Sequence, residues 1–377
     1  MILRNIRKLF DPSKHSLAFS TSAEGNFLPK SVYISESNDI FVNLAFEDWL
    51  YQNYDFSKQQ ILLLWRNKQT VVIGRHQNPW LEMNVKLAQD SNALIARRNS
   101  GGGAVYHDME NLNLSFFTSK KLYDRKYNLE IITNSIENEW RLNCVINDRE
   151  DITLDNKKIS GTASKLSKTN AYHHCTLLVD CNKKTMSAML GSKDPNIITN
   201  ATRSVPSIVI NLRELNPSVN VDRLMTVVGL GYLNTKPFRK SDAENIINEP
   251  RGFLFISPEE KYFPGLQKKI EQFKSWKWIF GRTPKFKTEF SFNTAQFCSA
   301  SDIMRVHVEV EHAEIQNIDV EVPPSFLVFV TSESMNFVTA PYLKQKFSTN
   351  LAAQLEETLV NYFKSKLEDQ RLNSVLY

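Results

Sequence analysis

The chain has 377 residues, of which 42% are hydrophobic and 23% charged, and its formal net charge at pH 7 is +5. This composition is that of an ordinary globular protein, and no apolar run approaches the ~20 residues that span a bilayer. The length predicts two domains, with three small ones as the alternative, each large enough to bury a core. The cysteines, Cys144, Cys175, Cys181 and Cys298, form no CxxC pair, so we expect reduced thiols and neither a disulfide framework nor a zinc site.

The first 25 residues have the composition of a targeting segment. Arg4, Arg7, Lys8 and Lys14 stand against two acidic residues, apolar residues share one helical face, and Ser and Thr residues follow. This pattern is typical of a mitochondrial presequence, with a frayed basic terminus as the alternative. Without residues 1–25 the formal charge falls from +5 to +3. That value predicts no nucleic-acid footprint and is compatible with an acidic protein partner.

The following segments predict a mixture of helices and strands. Asn38–Asn53 carries a broad apolar stripe behind capping residues, so we expect a helix. The β-rich runs Ile61–Trp65 and Thr70–Gly74 are separated by "RNKQ", which predicts a hairpin. Further strands are expected at residues 93–97, 112–118 and 171–180, a helix at 128–142, and a hairpin at 151–161 with Asp155 and Asn156 near its turn. We therefore expect an α+β fold with a mixed, largely antiparallel sheet flanked by helices.

The sequence changes character near Gly281, in the segment "SWKWIFGRTPKF". Ile303–Val322 alternates between apolar and polar residues, as two strands with one exposed face would. Thr349–Leu367 has the apolar stripe of an amphipathic helix. We therefore expect a small α+β accessory domain over residues 285–377, after a larger domain over residues 26–284.

Three consecutive glycines, Gly101–Gly103, stand between two predicted strands, where a simple turn needs fewer. Triple glycine permits unusual backbone dihedral angles and lets a ligand lie directly against the backbone. Arg97 and Arg98, immediately upstream, can supply positive charge to an anion. The segment is neither a P-loop nor a GxGxxG helix start, and a flexible hairpin tip is the alternative explanation of the glycines alone.

Five other segments extend the pattern around the glycines. "VVIGRHQNPWLEMN" precedes "ARRNSGGGAVYHD", and "KISGTASK", "AYHHCTLL", "NATRSVPSIVINL" and "WKWIFGRTPKF" follow in order, within about residues 40–284. This ordered set resembles the lipoate–protein ligase and lipoyltransferase family, above all its animal mitochondrial branch. The resemblance implies a catalytic domain of the biotin/lipoate ligase type that binds lipoyl-AMP in a bent cleft. Residues beyond 285 match only loosely.

The resemblance also assigns residues to this cleft. Lys158, in the KxSG motif, would be a catalytic ammonium that stabilises charge on the acyl oxygen and not a nucleophile. A solvated lysine beside Lys157 is the alternative. Arg149 matches no motif and is added only as a further basic contact. The residues expected to bind lipoyl-AMP are Arg98, Gly101, Gly102, Gly103, Tyr106, Arg149, Lys158, Thr176, Val205 and Ser207.

Other polar residues near these motifs have simpler explanations. His107 and Asp108 are two ligands without a third, so we expect polar support for the loop and no metal site. The side chains of His173–Cys175 alternate between strand faces and cannot converge on one ion. Cys175 is expected to be a buried thiol, with an acyl-accepting nucleophile as the alternative. Glu110 stands where the family usually has glycine, which puts the geometry of that turn in question.

The implied function is transfer of a lipoyl group, from lipoyl-AMP or a lipoylated carrier protein, to a lysine of the lipoyl domains of 2-oxo acid dehydrogenase E2 subunits. The alternatives are a complete ATP-dependent lipoate–protein ligase and a lipoyl-domain-binding protein without activity. We expect no permanently bound cofactor, with lipoyl-AMP as substrate and Mg-ATP only for a ligase. The glycine-cleavage H protein is a candidate donor. A monomer in the mitochondrial matrix is expected, with neither nucleic acid nor membrane as a partner.

Overall fold

The computed structural model describes residues 27–191, 196–235, 247–296 and 302–375. The presequence predicted over residues 1–25 and Cys298 lie outside the described residues. The helices are α1 (Ile40–Asn53), α2 (Pro79–Glu82), α3 (Val85–Asp90), α4 (Arg125–Trp140), α5 (Lys183–Leu190), α6 (Leu212–Leu215), α7 (Val221–Asn234), α8 (Leu266–Lys274), α9 (Trp276–Ile279), α10 (Ser332–Thr339) and α11 (Leu351–Val375).

The strands lie in several sheets, and short 3-10 turns cover Lys120–Leu122, Thr294–Gln296, Pro324–Phe329 and Ala340–Tyr342. The strands are β1 (Phe27–Ser35), β2 (Gln60–Trp65), β3 (Thr70–Ile73), β4 (Leu94–Arg97), β5 (Val105–His107), β6 (Asn111–Ser119), β7 (Val145–Ile146), β8 (Ile152–Leu154), β9 (Lys157–Lys158), β10 (Ser160–Leu166), β11 (Asn170–Leu178), β12 (Ile198–Thr199), β13 (Ile247–Ile256), β14 (Phe286–Asn293), β15 (Ile303–Glu311) and β16 (Glu314–Glu321).

A six-stranded sheet forms the centre of the fold, in the order β10-β11-β6-β2-β1-β13. The strands β13, β1 and β2 run parallel, whereas β2, β6, β11 and β10 pair antiparallel. Helix α1 is the crossover between β1 and β2, and Oδ1 of Asp39 caps it by accepting the N–H of Phe41 at 2.7 Å. The predicted mixed, largely antiparallel sheet flanked by helices is confirmed.

Helices cover both faces of this sheet. Helices α1 and α8 pack together on one face, and α4 and α7 pack together on the other. Alternation along β1 divides its residues between the two cores, with Tyr33 on the α1 side and Val32 and Ile34 on the α4 side. Among the described residues, no helix is both long and apolar enough to cross a bilayer.

The hairpin predicted between residues 61–65 and 70–74 is wrong. Strand β2 has β1 on one side and β6 on the other, so neither of its edges is left for β3. Strand β3 instead lies at the centre of a separate three-stranded sheet, in the order β4-β3-β5. The connection is held by buried Asn67, whose Oδ1 accepts from Asn43 at 2.9 Å and whose Nδ2 donates to His107 at 3.1 Å.

The hairpin predicted over residues 151–161 is present. Strands β8 and β9 pair antiparallel, and the two turn residues Asp155 and Asn156 both have positive φ, of 48° and 60°. Short polar side chains tolerate this left-handed backbone better than other residues do, which is why the Asp-Asn pair marks the turn.

The C-terminal part forms a four-stranded sheet in the order β12-β14-β15-β16. The strands predicted within Ile303–Val322 and the helix predicted over Thr349–Leu367 are present as β15, β16 and α11. Strand β12 reaches this sheet from the middle of the chain, and one continuous core joins residues of both regions. The domain division between residues 284 and 285 therefore stays a prediction.

Candidate active site

The glycine segment is a crossover and not a hairpin tip. Strand β4 runs parallel to β3 and β5 runs antiparallel to it, on opposite sides, so the loop between them must arch over the end of β3. At that end stands Gly74, where a Cβ atom would collide with the carbonyl oxygen of Gly102. The two backbones can approach this closely only because Gly74 has no side chain.

The three glycines have different neighbours. Gly102 has φ of +86°, and an added Cβ would lie 2.9 Å from Nη2 of Arg98 and 3.6 Å from Cβ of Ala163. A Cβ on Gly103 would lie 2.9 Å from Oγ of Ser204. A Cβ on Gly101 would have nothing within 4 Å. The protein itself therefore requires glycine at the second and third positions, and the first position is open to a ligand.

Arg98 holds the glycine loop in shape. Its Nη2 donates to the carbonyl oxygens of Gly101 and Gly103 at 2.5 and 2.8 Å, and its Nε donates to Ser100 Oγ at 3.0 Å. The side chain is buried, and burial lowers its pKa to about 10. The guanidinium predicted to meet lipoyl-AMP is thus committed to loop carbonyls here, and its direct contact with the ligand stays a prediction.

Arg97 points away from the loop, into the fold. Its Nη1 donates to the carbonyl oxygen of Gln77 at 2.8 Å, and its Nε donates to that of Ile279 at 2.7 Å. Its own carbonyl accepts from Nε1 of Trp278 at 2.8 Å. Burial, together with the charge of Arg282, lowers the pKa of Arg97 to about 9. Arg97 therefore ties the loop to the segment around α9, and it does not present a free cation to an anion.

Lys158 lies at the end of β9, just before β10. Its Nζ is 2.7 Å from Oδ1 of Asp151, and its side chain is 23% exposed, so the ammonium is paired and still accessible. Its backbone N–H donates to Ile208 at 2.9 Å, and its carbonyl accepts from Ile210 at 3.1 Å. Lys157, the neighbour on the other strand face, is exposed. The structure thus distinguishes the two lysines as the alternation of a strand requires.

The segment after β12 covers the glycine loop. Oγ of Ser204 accepts from the N–H of Ala104 at 2.8 Å and from Nε2 of Gln77 at 3.1 Å. Oε2 of Glu82 accepts the N–H of Ser204 at 2.9 Å. Sequence reasoning missed Ser204, although it lies inside the "NATRSVPSIVINL" motif that was used for the resemblance. Its hydroxyl is the contact that joins this segment to the loop.

The other predicted binding residues occupy different surroundings. Val205 is 57% exposed and Ser207 is exposed, so both are available on the covering segment. Tyr106 is buried in the core, and its carbonyl accepts from Nδ2 of Asn111 at 2.7 Å. Arg149 is exposed in the turn before β8, and among the described residues its side chain forms no hydrogen bond or ion pair with the glycine loop. Their roles toward lipoyl-AMP stay predictions.

Thr176 belongs to a chain of buried hydrogen bonds. Its Oγ1 donates to Oδ1 of Asn113 at 3.1 Å and lies 3.3 Å from Nε2 of His107. Since Asn67 donates to Nδ1 of that imidazole, the ring proton belongs on Nε2. Burial, and then the charges of Arg98 and His174, lower the pKa of His107 to about 3. His107 is therefore neutral polar support, as its sequence context predicts.

A second buried network reaches the loop and was missed by sequence reasoning. Oε1 of Glu47 accepts from Ser115 Oγ at 2.5 Å and lies 2.9 Å from Nδ1 of His174. Nε2 of His174 lies 2.8 Å from Oγ of Ser100, the residue before the glycines. A usable signal existed in the sequence, because Glu47 interrupts the apolar stripe of α1 and must find a partner when buried.

Three further expectations concern reactivity and turn geometry. Cys175 is buried, and burial raises the pKa of its thiol, so it is poorly suited to act as a nucleophile. Glu110 is described, and its φ is not positive. The backbone of this turn therefore accommodates a side chain where the family usually has glycine. Within the described ranges, no group of three or more His, Cys, Asp or Glu side chains is arranged to hold a metal ion.

Comparison with known proteins defines the class. The family described as the lipoyl protein ligase A/B catalytic domain matches residues 39–231. The mitochondrial lipoyl amidotransferase LIPT1 of Homo sapiens is 37% identical over 342 residues, which cover 90% of this chain and 87% of the human protein. Lipoate-protein ligase A of Bdellovibrio bacteriovorus is 32% identical over 293 residues, which cover 77% of this chain and 81% of the bacterial protein. The chain belongs to the lipoyl protein ligase A/B family.

Solved structures share the fold. P. falciparum LipL1 in complex with lipoate superposes with a TM-score of 0.56 at 22% identity, over 88% of this chain and 99% of that one. A bipartite lipoate protein ligase from Thermoplasma acidophilum, described with its E2 lipoyl domain, gives a TM-score of 0.53 at 20% identity, over 67% of this chain and 96% of that one. The resemblance inferred from the ordered motifs and the fold class expected from it are confirmed.

Proposed function

We propose that this chain is a lipoyl amidotransferase, which moves a lipoyl group from lipoyl-AMP to a lysine side chain of an acceptor protein. The observation that carries the proposal is the glycine loop arching over Gly74 and packed against β10, with the ammonium of Lys158 just before that strand. A bare backbone and one accessible cation suit a long acyl chain joined to a phosphate. The human and mouse relatives named lipoyl amidotransferase support the assignment.

The chemistry needs little more than positioning. The ε-amine of the acceptor lysine forms a bond to the acyl carbon, the bond from that carbon to the phosphate oxygen breaks, and AMP leaves with the electron pair. Negative charge develops on the acyl oxygen, and the fixed ammonium of Lys158 together with backbone N–H groups stabilises it. The attacking nitrogen must lose a proton, since only about one such amine in a few thousand is neutral near pH 7.

The acceptors we propose are the lipoyl domains of 2-oxo acid dehydrogenase E2 subunits, with the glycine-cleavage H protein as an alternative lipoyl donor. The archaeal neighbour described with its E2 lipoyl domain supports this class of acceptor. The relatives named mitochondrial support a mitochondrial location, and we propose the matrix, where the chain would act as a monomer.

A complete ligase, which makes lipoyl-AMP from lipoate and Mg-ATP, is the second candidate. Relatives at 32% identity bear the name lipoate-protein ligase A, and transferase and ligase would use the same cleft for lipoyl-AMP. The two candidates differ in the first half-reaction only, so the donor decides between them.

The experiment supplies a purified apo-lipoyl domain with one of three donors and measures its mass. The donors are lipoyl-AMP, lipoate plus Mg-ATP, and lipoylated carrier protein. We expect lipoylation from lipoyl-AMP and little from lipoate plus Mg-ATP. Comparable rates from lipoate plus Mg-ATP would make the chain a ligase. An unchanged mass with every donor would contradict both enzymes and leave a binding protein. Lipoyl-AMP should also raise the melting temperature, because it binds the native state alone.

A further inference from the structure

Basic side chains lie on three segments that contact the glycine loop or the strand before it: the residues after β3, the segment after β12, and α9 with the residues that follow it. They are Arg75, His76, Arg203, Lys277 and Arg282, and we call them the basic strip. Arg75 is half-buried and the other four are exposed. Within the described ranges of the chain, none of the five forms an ion pair with a carboxylate. Four full positive charges are therefore left uncompensated on one surface.

One end of the basic strip is organised by an aromatic ring. The guanidinium carbons of Arg75 and Arg282 lie 5.8 and 5.5 Å from the ring centre of Trp278. Both side chains thus sit against the same ring, at distances at which a cation is attracted to the π-system. Lys277 immediately precedes Trp278 in α9. Stacking holds two of the cations in place without neutralising their charge.

The other end reaches the covering segment. The N–H of Thr202 donates to the carbonyl oxygen of His76 at 3.1 Å, which brings Arg203 next to His76. The N–H of Arg75 donates to the carbonyl oxygen of Ser100 at 2.9 Å. The basic strip therefore runs from the covering segment, past Arg75 beside the glycine loop, to α9.

The positive field of the basic strip extends into the fold. The pKa of Arg97 is lowered to about 9, first by burial and then by the charge of Arg282. The charge of Arg282 is therefore felt inside the fold, and several cations without ion pairs on one surface favour a partner that carries negative charge.

We propose that the basic strip is the docking surface for the acceptor domain, and that this domain carries carboxylates around its acceptor lysine. The inference rests on the proposed function and names the partner's chemistry. Lipoyl-AMP has a single phosphate and cannot neutralise four cations spread beyond the loop. The acceptor lysine is itself a cation that must approach Lys158, and carboxylates on the basic strip offset that repulsion.

The test reverses two charges at the α9 end of the basic strip. In the variant Lys277→Glu/Arg282→Glu, we expect the KM for the acceptor domain to rise about tenfold or more, with kcat at saturating domain within about twofold of wild type. Binding of lipoyl-AMP, measured by its shift of the melting temperature, should be unchanged. The wild-type kcat/KM should fall steeply with added salt, and that of the variant should not.

The matched control is Lys68→Glu/Lys364→Glu, which changes the net charge equally. Lys68 precedes β3 at the end opposite Gly74, and Lys364 is exposed on α11. The KM of this control variant for the acceptor domain should match that of wild type. An acceptor domain whose carboxylates near the lysine are changed to amides should show the same KM increase, with no further increase in the Lys277→Glu/Arg282→Glu variant.

Three results would overturn the docking surface alone. One is a KM and salt dependence in the Lys277→Glu/Arg282→Glu variant equal to those of wild type. Another is a loss of lipoyl-AMP binding in this variant as large as its loss of kcat/KM, which would assign the charges to the adenylate. Tight binding of an oligonucleotide to the wild type, lost in the variant, would assign the strip to nucleic acid instead. A wild-type protein that binds lipoyl-AMP but never modifies any domain would refute the proposed function itself.

Discussion

The Nζ atom of Lys158 lies 2.7 Å from Oδ1 of Asp151, and the backbone of the same lysine is hydrogen-bonded to Ile208 and Ile210. Asp151 comes from the strand pair before the lysine, and the two isoleucines come from the segment that covers the glycine loop. The ammonium is thereby positioned by parts of the chain on both sides of it in sequence. A cation held in this way needs little reorganisation when charge develops on a substrate.

Lys158→Ala should fold normally and lose transfer. Removal of a fixed charge beside a developing oxyanion is expected to lower kcat by about 10²-fold or more. Lys157→Ala is the matched control, because its side chain lies on the exposed face of the same strand. Both rates are measured with lipoyl-AMP and an apo-lipoyl domain. Equal losses in the two variants would show that the charge at position 158 has no special role.

Asp151→Asn should slow lipoyl transfer, because Asp151 holds the ammonium of Lys158 in position. The amide keeps the shape of the side chain but no longer holds the ammonium as an ion pair, so we expect kcat to fall about tenfold and the KM for the domain to stay unchanged. In the double variant Asp151→Asn/Lys158→Ala, the loss should equal that of Lys158→Ala alone, because both changes act on one interaction. Additive losses would contradict this dependence.

The glycines should separate a ligand contact from a folding requirement. Gly101→Val places its side chain where no protein atom lies within 4 Å of the Cβ, so the melting temperature should hold while lipoyl-AMP no longer raises it. Gly102→Val should also lose binding, but with a lower melting temperature, because φ is +86° and Arg98 lies 2.9 Å from the new Cβ. Unchanged lipoyl-AMP binding by Gly101→Val would exclude the ligand from this side of the loop.

Lys30 should make stability depend on pH. It is fully buried on β1, its Nζ has no hydrogen-bond partner, and burial lowers its pKa to about 7. Between about pH 7 and pH 10 the unfolded chain therefore holds a proton that the folded chain lacks, and stability rises with pH by up to about 1.4 kcal/mol per unit.

The variant Lys30→Met removes this proton linkage. Urea unfolding should show the variant more stable than wild type near neutral pH, with an advantage that shrinks as pH rises through that window. Lys364→Met, at an exposed position, is the control and should show no pH-dependent difference. A difference between Lys30→Met and wild type that stays constant with pH would mean that Lys30 is already charged in the folded protein.

Local patterns were sufficient for much of the secondary structure. The apolar stripe of α1 with its Asp39 cap, the Asp155–Asn156 turn and the alternation of β15 and β16 all depend on neighbours within a few residues. The ordered motifs were sufficient for the family, because several short segments in a set order are far more specific than any one of them.

The pairing of strands could not be predicted from local sequence patterns. The short connection between β2 and β3 favours a hairpin locally, but both edges of β2 are occupied by strands that lie elsewhere in the chain. The glycine segment is a second example. It looks locally like a hairpin tip, but it crosses over β3 because β4 and β5 each pair with one edge of that strand. An edge is free or occupied only in the assembled sheet.

The sequence by itself determined which residue types form the candidate site, namely bare glycines, arginines and a lysine in a family motif. The tertiary structure alone decided their tasks. Arg98 and Arg97 are buried against carbonyl oxygens, and Glu47 meets His174 from 127 positions away in the chain. A buried polar group must find its hydrogen-bond partners wherever the fold brings them, so its role depends on distant residues and not on its neighbours in sequence.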